Sequence, residues 1–292
     1  MRKLFALLLL FSPLACHSAG QRPIVIASKN FTEQIILGEM LAQVLESRPH
    51  VFVDRRLNLG GTFVCHGGLV AGAIDVYPEY TGTAFTAILK HKPVSDAAEV
   101  YRQVKSEYQT RFAAEWSKPL GFNNTFAIVI RGDDSKRYRV RTLSEVSAVT
   151  PHWKAGFGYE FMERADGYPG LAKAYGLRFA VQPRIMDLGL LYRALTERQV
   201  DLVVGSSTDG LISSLGLVVL KDDKHYFPPY EAAYVARRDS LARHKELRPA
   251  IEALEGRISD EQMRHLNYLI DGEHRSVKDV AREFLVKAGI LK

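Results

Sequence analysis

Apolar residues along this chain follow two rhythms. Ile24 to Ala27 (IVIA) is a short continuous run of the length of a buried strand, and after the polar turn Ser28-Lys29-Asn30 the stretch FTEQIILGEMLAQVLES repeats its apolar positions at helical spacing. Thr32 or Asn30 is placed to cap that helix. RRLNL then reads as a strand, GGT as a turn, FVCHGGLVAG as a helix and IDVY as another strand. Strand and helix patterns that alternate in this way predict parallel sheets of α/β type. The plan returns in LYRALTERQVDLVVGSSTDGLI, which predicts a helix ending near Arg198, a strand over Val200 to Val204 and a polar turn.

Setting Asp75 over Asp201 aligns IDVYPEYTG with VDLVVGSST, so that Tyr80 falls over Ser206 and Thr81 over Ser207. Two α/β halves with a shared unit predict two lobes, each presenting the end of an equivalent strand. In open α/β sheets, ligands gather beyond the carboxyl ends of strands, where helix N-termini also point. The hydroxyl-rich and aromatic stretch AIDVYPEYTGT therefore either lines such a crevice or packs its tyrosines in the core.

The N-terminus, MRKLFALLLLFSPLACHSAG, places Arg2 and Lys3 before an apolar run and then small residues, the plan of a secretory signal peptide over residues 1–20. Its apolar run is shorter than the roughly 20 residues a membrane-spanning helix needs. Cleavage before Cys16 would leave a cysteine for lipid attachment, although Pro13 stands where such sites usually carry leucine; cleavage after Ala19 or Gly20 is the alternative. Either product is exported, to the periplasm or the outer face of the cytoplasmic membrane. Only Cys65 is then left to pack inside the fold, which excludes an intramolecular disulfide framework.

The formal charge is +6, and loss of Arg2 and Lys3 leaves 37 basic against 33 acidic side chains. Their scattered distribution is no nucleic-acid footprint. GSSTDG offers Asp209 where a nucleophile elbow needs glycine, and no histidine partner is evident. Cys65 and His66 are adjacent rather than spaced for a tetrahedral metal site, and His66 is expected on a helix surface. The sequence thus predicts neither enzyme, metal centre nor cofactor.

SKNFTEQIILGEML, LGGT, AIDVYPEYTGT, GFNNTFAIVIR, STDGLI, LKDDKHYFPPYEAAYVAR and LNYLIDGEHRSVKDVAREFLVKAGIL occur in order through the chain. Together they resemble the substrate-binding proteins of osmoprotectant ABC importers, the glycine betaine, choline and carnitine type. The resemblance implies a two-lobed periplasmic-binding-protein fold of type II with two chain crossings. Lobe one would comprise residues 21–125 and 229–292, and lobe two residues 126–228. It implies a small solute in the cleft, lobe closure around it, and a permease with its ATPase as partner.

A quaternary ammonium has no hydrogen to donate, so aromatic faces hold it, at up to about 2 kcal/mol per desolvated contact. Carried over from the family, the cage positions fall at Tyr80, Phe126, Ser206 and Tyr230, and the carboxylate side at Lys29, Arg164 and Thr83, with Asn124 beside the cage. Phe126 keeps the π face of the family tyrosine and loses a hydroxyl. Ser206 removes one wall and adds a donor and acceptor, which opens the site to a larger or more polar solute such as ergothioneine or an amino-acid derivative. Each position also has a plainer reading: Tyr80 and Tyr230 as core tyrosines, Lys29 as solvent-exposed, Arg164 as a surface partner of Glu163 or Asp166, Asn124 as a backbone partner at the crossing, and the LGGT glycines as a tight turn. A ligand sensor would use the same fold.

Overall fold

The structure, a computed structural model, describes residues 22–292. The signal-peptide expectation and Cys16 lie outside the described residues. Ten strands occur among those described: β1 (Ile24–Lys29), β2 (Val53–Gly60), β3 (Val76–Tyr80), β4 (Ala114–Trp116), β5 (Phe126–Arg131), β6 (Ala155–Phe157), β7 (Arg184–Ile185), β8 (Leu202–Ser206), β9 (Leu217–Leu220) and β10 (Ala232–Arg237). They form two five-stranded sheets, in the orders β2-β1-β3-β10-β4 and β7-β6-β8-β5-β9. Each sheet has an apolar core on both faces.

The two orders are one topology used twice. In the first sheet β1 pairs parallel with β2 and β3, and β3 pairs antiparallel with β10; in the second β6 pairs parallel with β7 and β8, and β8 pairs antiparallel with β5. The alignment of Tyr80 over Ser206 is therefore structural, since each closes the third parallel strand of its sheet. The expectation of wholly parallel sheets is corrected to mixed ones. Each sheet takes in one strand, β5 or β10, that arrives from the other sheet, and a strand arriving across the crevice runs opposite to those ending at it.

The chain crosses between Trp116 and Phe126 and returns between Leu220 and Ala232. The two crossings touch: Asn123 and Glu231 form an antiparallel bridge, the Asn124 N–H donates to the Tyr230 carbonyl at 3.0 Å, and the Tyr230 N–H to Asn123 Oδ1 at 2.6 Å. The carboxyl ends of β3 and β8 meet this ribbon: the Thr81 N–H donates to the Glu231 carbonyl and the Ser207 N–H to the Thr125 carbonyl, each at 3.0 Å.

Several boundaries differ from the sequence reading. The first strand runs on through Ser28 and Lys29, which were expected in a turn. The following helix, α1 (Thr32–Glu46), has Phe31 at its N-cap with no side-chain cap; Thr32 instead donates to Asp271 Oδ1 at 2.6 Å, and Asn30 is no cap either. Almost all of α1 is buried, Ile36, Leu37, Met40 and Leu41 completely, because it lies between its sheet and the C-terminal helices. The strand expected at IDVY begins two residues later and takes in Pro78. Proline is tolerated because β1 pairs with β3 only at Val76, so nothing there requires the missing N–H. The strand expected over Val200 to Val204 is displaced by two residues to Leu202–Ser206, which puts Ser206 at a strand end. His66 is half-buried against Tyr108 and Phe112 instead of lying free on a helix surface.

A candidate ligand-binding cleft

The end of β3 delivers Tyr80 against β10, opposite Ala232. Its ring is buried, 4% exposed, and its hydroxyl donates to Glu33 Oε1 at 2.5 Å. Glu33 also accepts from Asn124 Nδ2 (2.7 Å) and, at Oε2, from Thr208 Oγ1 (2.5 Å) and Asn267 Nδ2 (3.2 Å). Thr208 follows β8, so this one carboxylate ties the two sheets together. Burial raises the Glu33 pKa above its ordinary value, against the pull of these four donors. Lys29, at the end of β1, is buried and not solvent-exposed: its ammonium pairs with Glu79, donates to Thr62 Oγ1 at 3.2 Å and lies 4.7 Å from the centre of the Tyr80 ring.

A second buried carboxylate joins the sheets on the other side. Asp166 Oδ2 accepts from Thr86 Oγ1 at 2.6 Å, from the Tyr230 hydroxyl at 2.6 Å and from Arg164 Nη2 at 2.5 Å. Arg164 also reaches Thr83 Oγ1 at 3.3 Å. Its expected surface partnership is thus corrected: the ion pair is with Asp166 and both side chains are almost wholly buried. Burial acts against each charge, yet Arg164 holds the Asp166 carboxyl below its ordinary value, and Asp166 raises the Arg164 pKa.

The Arg164 guanidinium lies 5.1 Å from the centre of the Phe126 ring, and Phe126 meets Tyr230 edge to face at 5.6 Å. Phe161 and Phe227 complete this aromatic cluster. Ser206 stands opposite Phe126 in the antiparallel register of β5 and β8, so the two share a sheet face. Gly82 secures Tyr230, since a Cβ there would lie 2.6 Å from the Pro229 carbonyl and 2.7 Å from the Tyr230 ring.

The structure therefore gathers the eight residues singled out from the sequence around the ends of β1, β3, β5 and β8 and the crossing ribbon. Arg164, Thr83, Phe126 and Tyr230 form one contact group with Ser206 beside it; Lys29, Tyr80 and Asn124 form another, linked through Glu33. Of the LGGT glycines, Gly61 serves close approach between the lobes: a Cβ would lie 2.1 Å from Glu160 Oε1. Sequence reasoning missed Glu33, Thr86 and Asn267, named Asp166 only as a surface partner of Arg164, and read Thr208 only as part of the polar corner beside Ser206. A signal existed for two of them. Glu33 is an acid in the first turn of a helix that is otherwise buried, and Asn267 interrupts the apolar face of the helix Asp260–Asp271 beside Met263 and Leu266.

Among the described residues no cluster of histidine, cysteine and acidic side chains is arranged to hold a metal ion, and no helix is long and apolar enough to cross a membrane.

Comparison with known proteins places this geometry. Residues 22–287 match the family model for the substrate binding domain of ABC-type glycine betaine transport systems. The carnitine transport binding protein OpuCC of Listeria monocytogenes is 37% identical over 97% of this chain and 95% of its own length. The ergothioneine transport permease/ergothioneine binding protein EgtU of Helicobacter pylori is 35% identical over 94% of this chain, which spans about half, 49%, of that protein. A crystal structure described as a glycine betaine/carnitine/choline ABC transporter superposes with a TM-score of 0.73 at 34% identity, covering 92% of this chain and all of the other. With its two mixed sheets, doubled topology and interlobe cleft, the chain belongs to the family of substrate-binding domains of ABC-type glycine betaine transport systems.

Proposed function

We propose that the protein is the extracytoplasmic solute-binding subunit of an ABC importer, and that it captures a zwitterionic quaternary-ammonium solute of the betaine or carnitine kind. The observation that carries this reading is the cluster of Tyr80, Phe126 and Tyr230 at the carboxyl ends of the strands, with two basic side chains, Lys29 and Arg164, lying over ring faces there. Rings already disposed toward cations suit a charge that cannot be hydrogen-bonded. Lys29, Arg164 and Thr83 supply donors for a carboxylate, in competition with Glu79 and Asp166. The solute is released to a permease driven by its ATPase, and the lobes report occupancy by closing.

Calorimetric titration tests the reading. Tyr80→Ala and Tyr230→Ala are each expected to weaken binding of a quaternary-ammonium solute at least tenfold, about 1.4 kcal/mol. Unchanged affinity in both variants would remove these rings from the site.

A further inference from the structure

One hydroxyl where the two sheets meet has two acceptors within reach and a single hydrogen to give. Thr86 lies in the π-helical turn Ala84–Ile88 that follows β3, where the Leu89 N–H reaches back to the Ala84 carbonyl at 2.9 Å. Widened turns of this kind recur at functional positions. Thr86 Oγ1 stands 2.8 Å from the Gly82 carbonyl, one turn back in its own segment, and 2.6 Å from Asp166 Oδ2, which lies between β6 and β7 of the other sheet. Thr86 and Asp166 are only 2% and 1% exposed, so water does not stand in for either partner. Donation to the carbonyl one turn back is the local bond a helical threonine makes by itself. Donation to a carboxylate is charge-assisted and the stronger of the two.

We propose that Thr86 is a positioning residue for lobe closure: with the lobes apart its hydroxyl donates to the Gly82 carbonyl, and with the lobes together it turns the same O–H to Asp166. Opening then leaves no buried donor without a partner, and closing exchanges a neutral acceptor for a charged one. The closure meant is the one given under Proposed function, on which this rests, and Thr86 sets how far its equilibrium lies toward the closed form. Thr86 acts on Asp166 and not on the solute, so its contribution is the same for every solute that fills the cleft. Asp166 in turn holds Arg164 Nε at 2.9 Å and the Tyr230 hydroxyl at 2.6 Å, so the exchange also steadies the carboxylate that fixes those two side chains.

The test compares the wild-type chain with Thr86→Val, which keeps the branched shape and removes the hydroxyl, and Thr86→Ser, which keeps the hydroxyl. Glycine betaine and carnitine are titrated by calorimetry and their release is followed by stopped flow. Thr86→Val is expected to weaken both solutes by the same factor, about tenfold or about 1.4 kcal/mol, through faster release. Thr86→Ser is expected to stay within about threefold of the wild-type affinity, because the charge-assisted bond is kept. Wild-type affinity in Thr86→Val would overturn the proposal. So would unequal losses for the two solutes, which would put Thr86 against the solute, or a serine variant as weak as the valine one, which would assign the effect to packing. A crystal structure of the solute-free wild-type chain needs neither a variant nor a known solute. It is expected to show the Thr86 hydroxyl on the Gly82 carbonyl with Asp166 out of hydrogen-bond reach; Thr86 still on Asp166, or turned away from Gly82, would overturn the exchange. If neither solute binds the wild-type chain, the cation reading falls and this crystal structure alone decides the role of Thr86.

Discussion

A single hydroxyl couples the aromatic side of the cleft to its closure. Tyr230 offers its ring to Phe126 and its OH to Asp166, which lies on the other side of the cleft and also holds Arg164 and Thr86. Tyr230→Phe keeps the ring and removes one donor from a buried carboxylate, a loss of roughly 1–3 kcal/mol. Because that contact joins the lobes, the loss is expected to appear as a roughly five- to 150-fold weaker solute affinity in calorimetry, smaller than the loss in Tyr230→Ala. An unchanged affinity would mean that the hydroxyl does not contribute to closure. At this scale the sequence was legible only through resemblance. Tyr80 and Tyr230 stood out beside their proline-containing motifs, but the acids that hold their hydroxyls lie 47 and 64 residues away in the chain, and no local pattern announces such a contact.

At the scale of elements, the turn after β8 packs its Gly210 against Tyr268 and the Arg264 carbonyl of the helix Asp260–Asp271. This seam brings Asp209 near two further acids, Asp271 and Glu33. Burial, reinforced by those two charges, pushes the Asp209 carboxyl up from 3.8 to about 6, against the Leu211 N–H that it accepts. Its folded form therefore holds a proton that the unfolded chain releases earlier. Its contribution is complete below about pH 3.8 and is lost as pH rises through about 6. Asp209→Asn keeps the Oδ1 acceptor for Leu211 and removes the charge. The variant is expected to melt above the wild-type protein at pH 7.5, with the difference vanishing near pH 3.5; a wild-type protein more stable at pH 7.5 would contradict this sign. In the sequence Thr208 and Asp209 read as part of the polar corner beside Ser206, and Asp209 also as the residue where a nucleophile elbow needs glycine. Strand and helix periodicity was enough to place the elements, but it placed this strand two residues early, because the apolar run stops before the hydrogen-bonded ladder does.

For the whole molecule, the duplicated sheet order makes the cleft a meeting of equivalent strand ends, with Tyr80 on one side and Ser206 on the other. The two-lobed α/β plan was visible in the alternation of patterns and in the short internal alignment. The mixed character of the sheets was not, since strand direction depends on which lobe a strand arrives from, and periodicity carries no information on that. On the reading proposed above, a sheet pair of this kind still holds a quaternary ammonium with Ser206 where the family resemblance implies an aromatic wall. Thermal denaturation of the purified chain at millimolar glycine betaine, carnitine, choline, ergothioneine and a panel of free amino acids tests it most directly, because a solute that binds only the folded state raises the melting temperature by mass action. The zwitterionic quaternary-ammonium solutes are expected to stabilise the chain, and the free amino acids are not. Stabilisation by an amino acid alone, with every quaternary-ammonium solute inert, would contradict that reading.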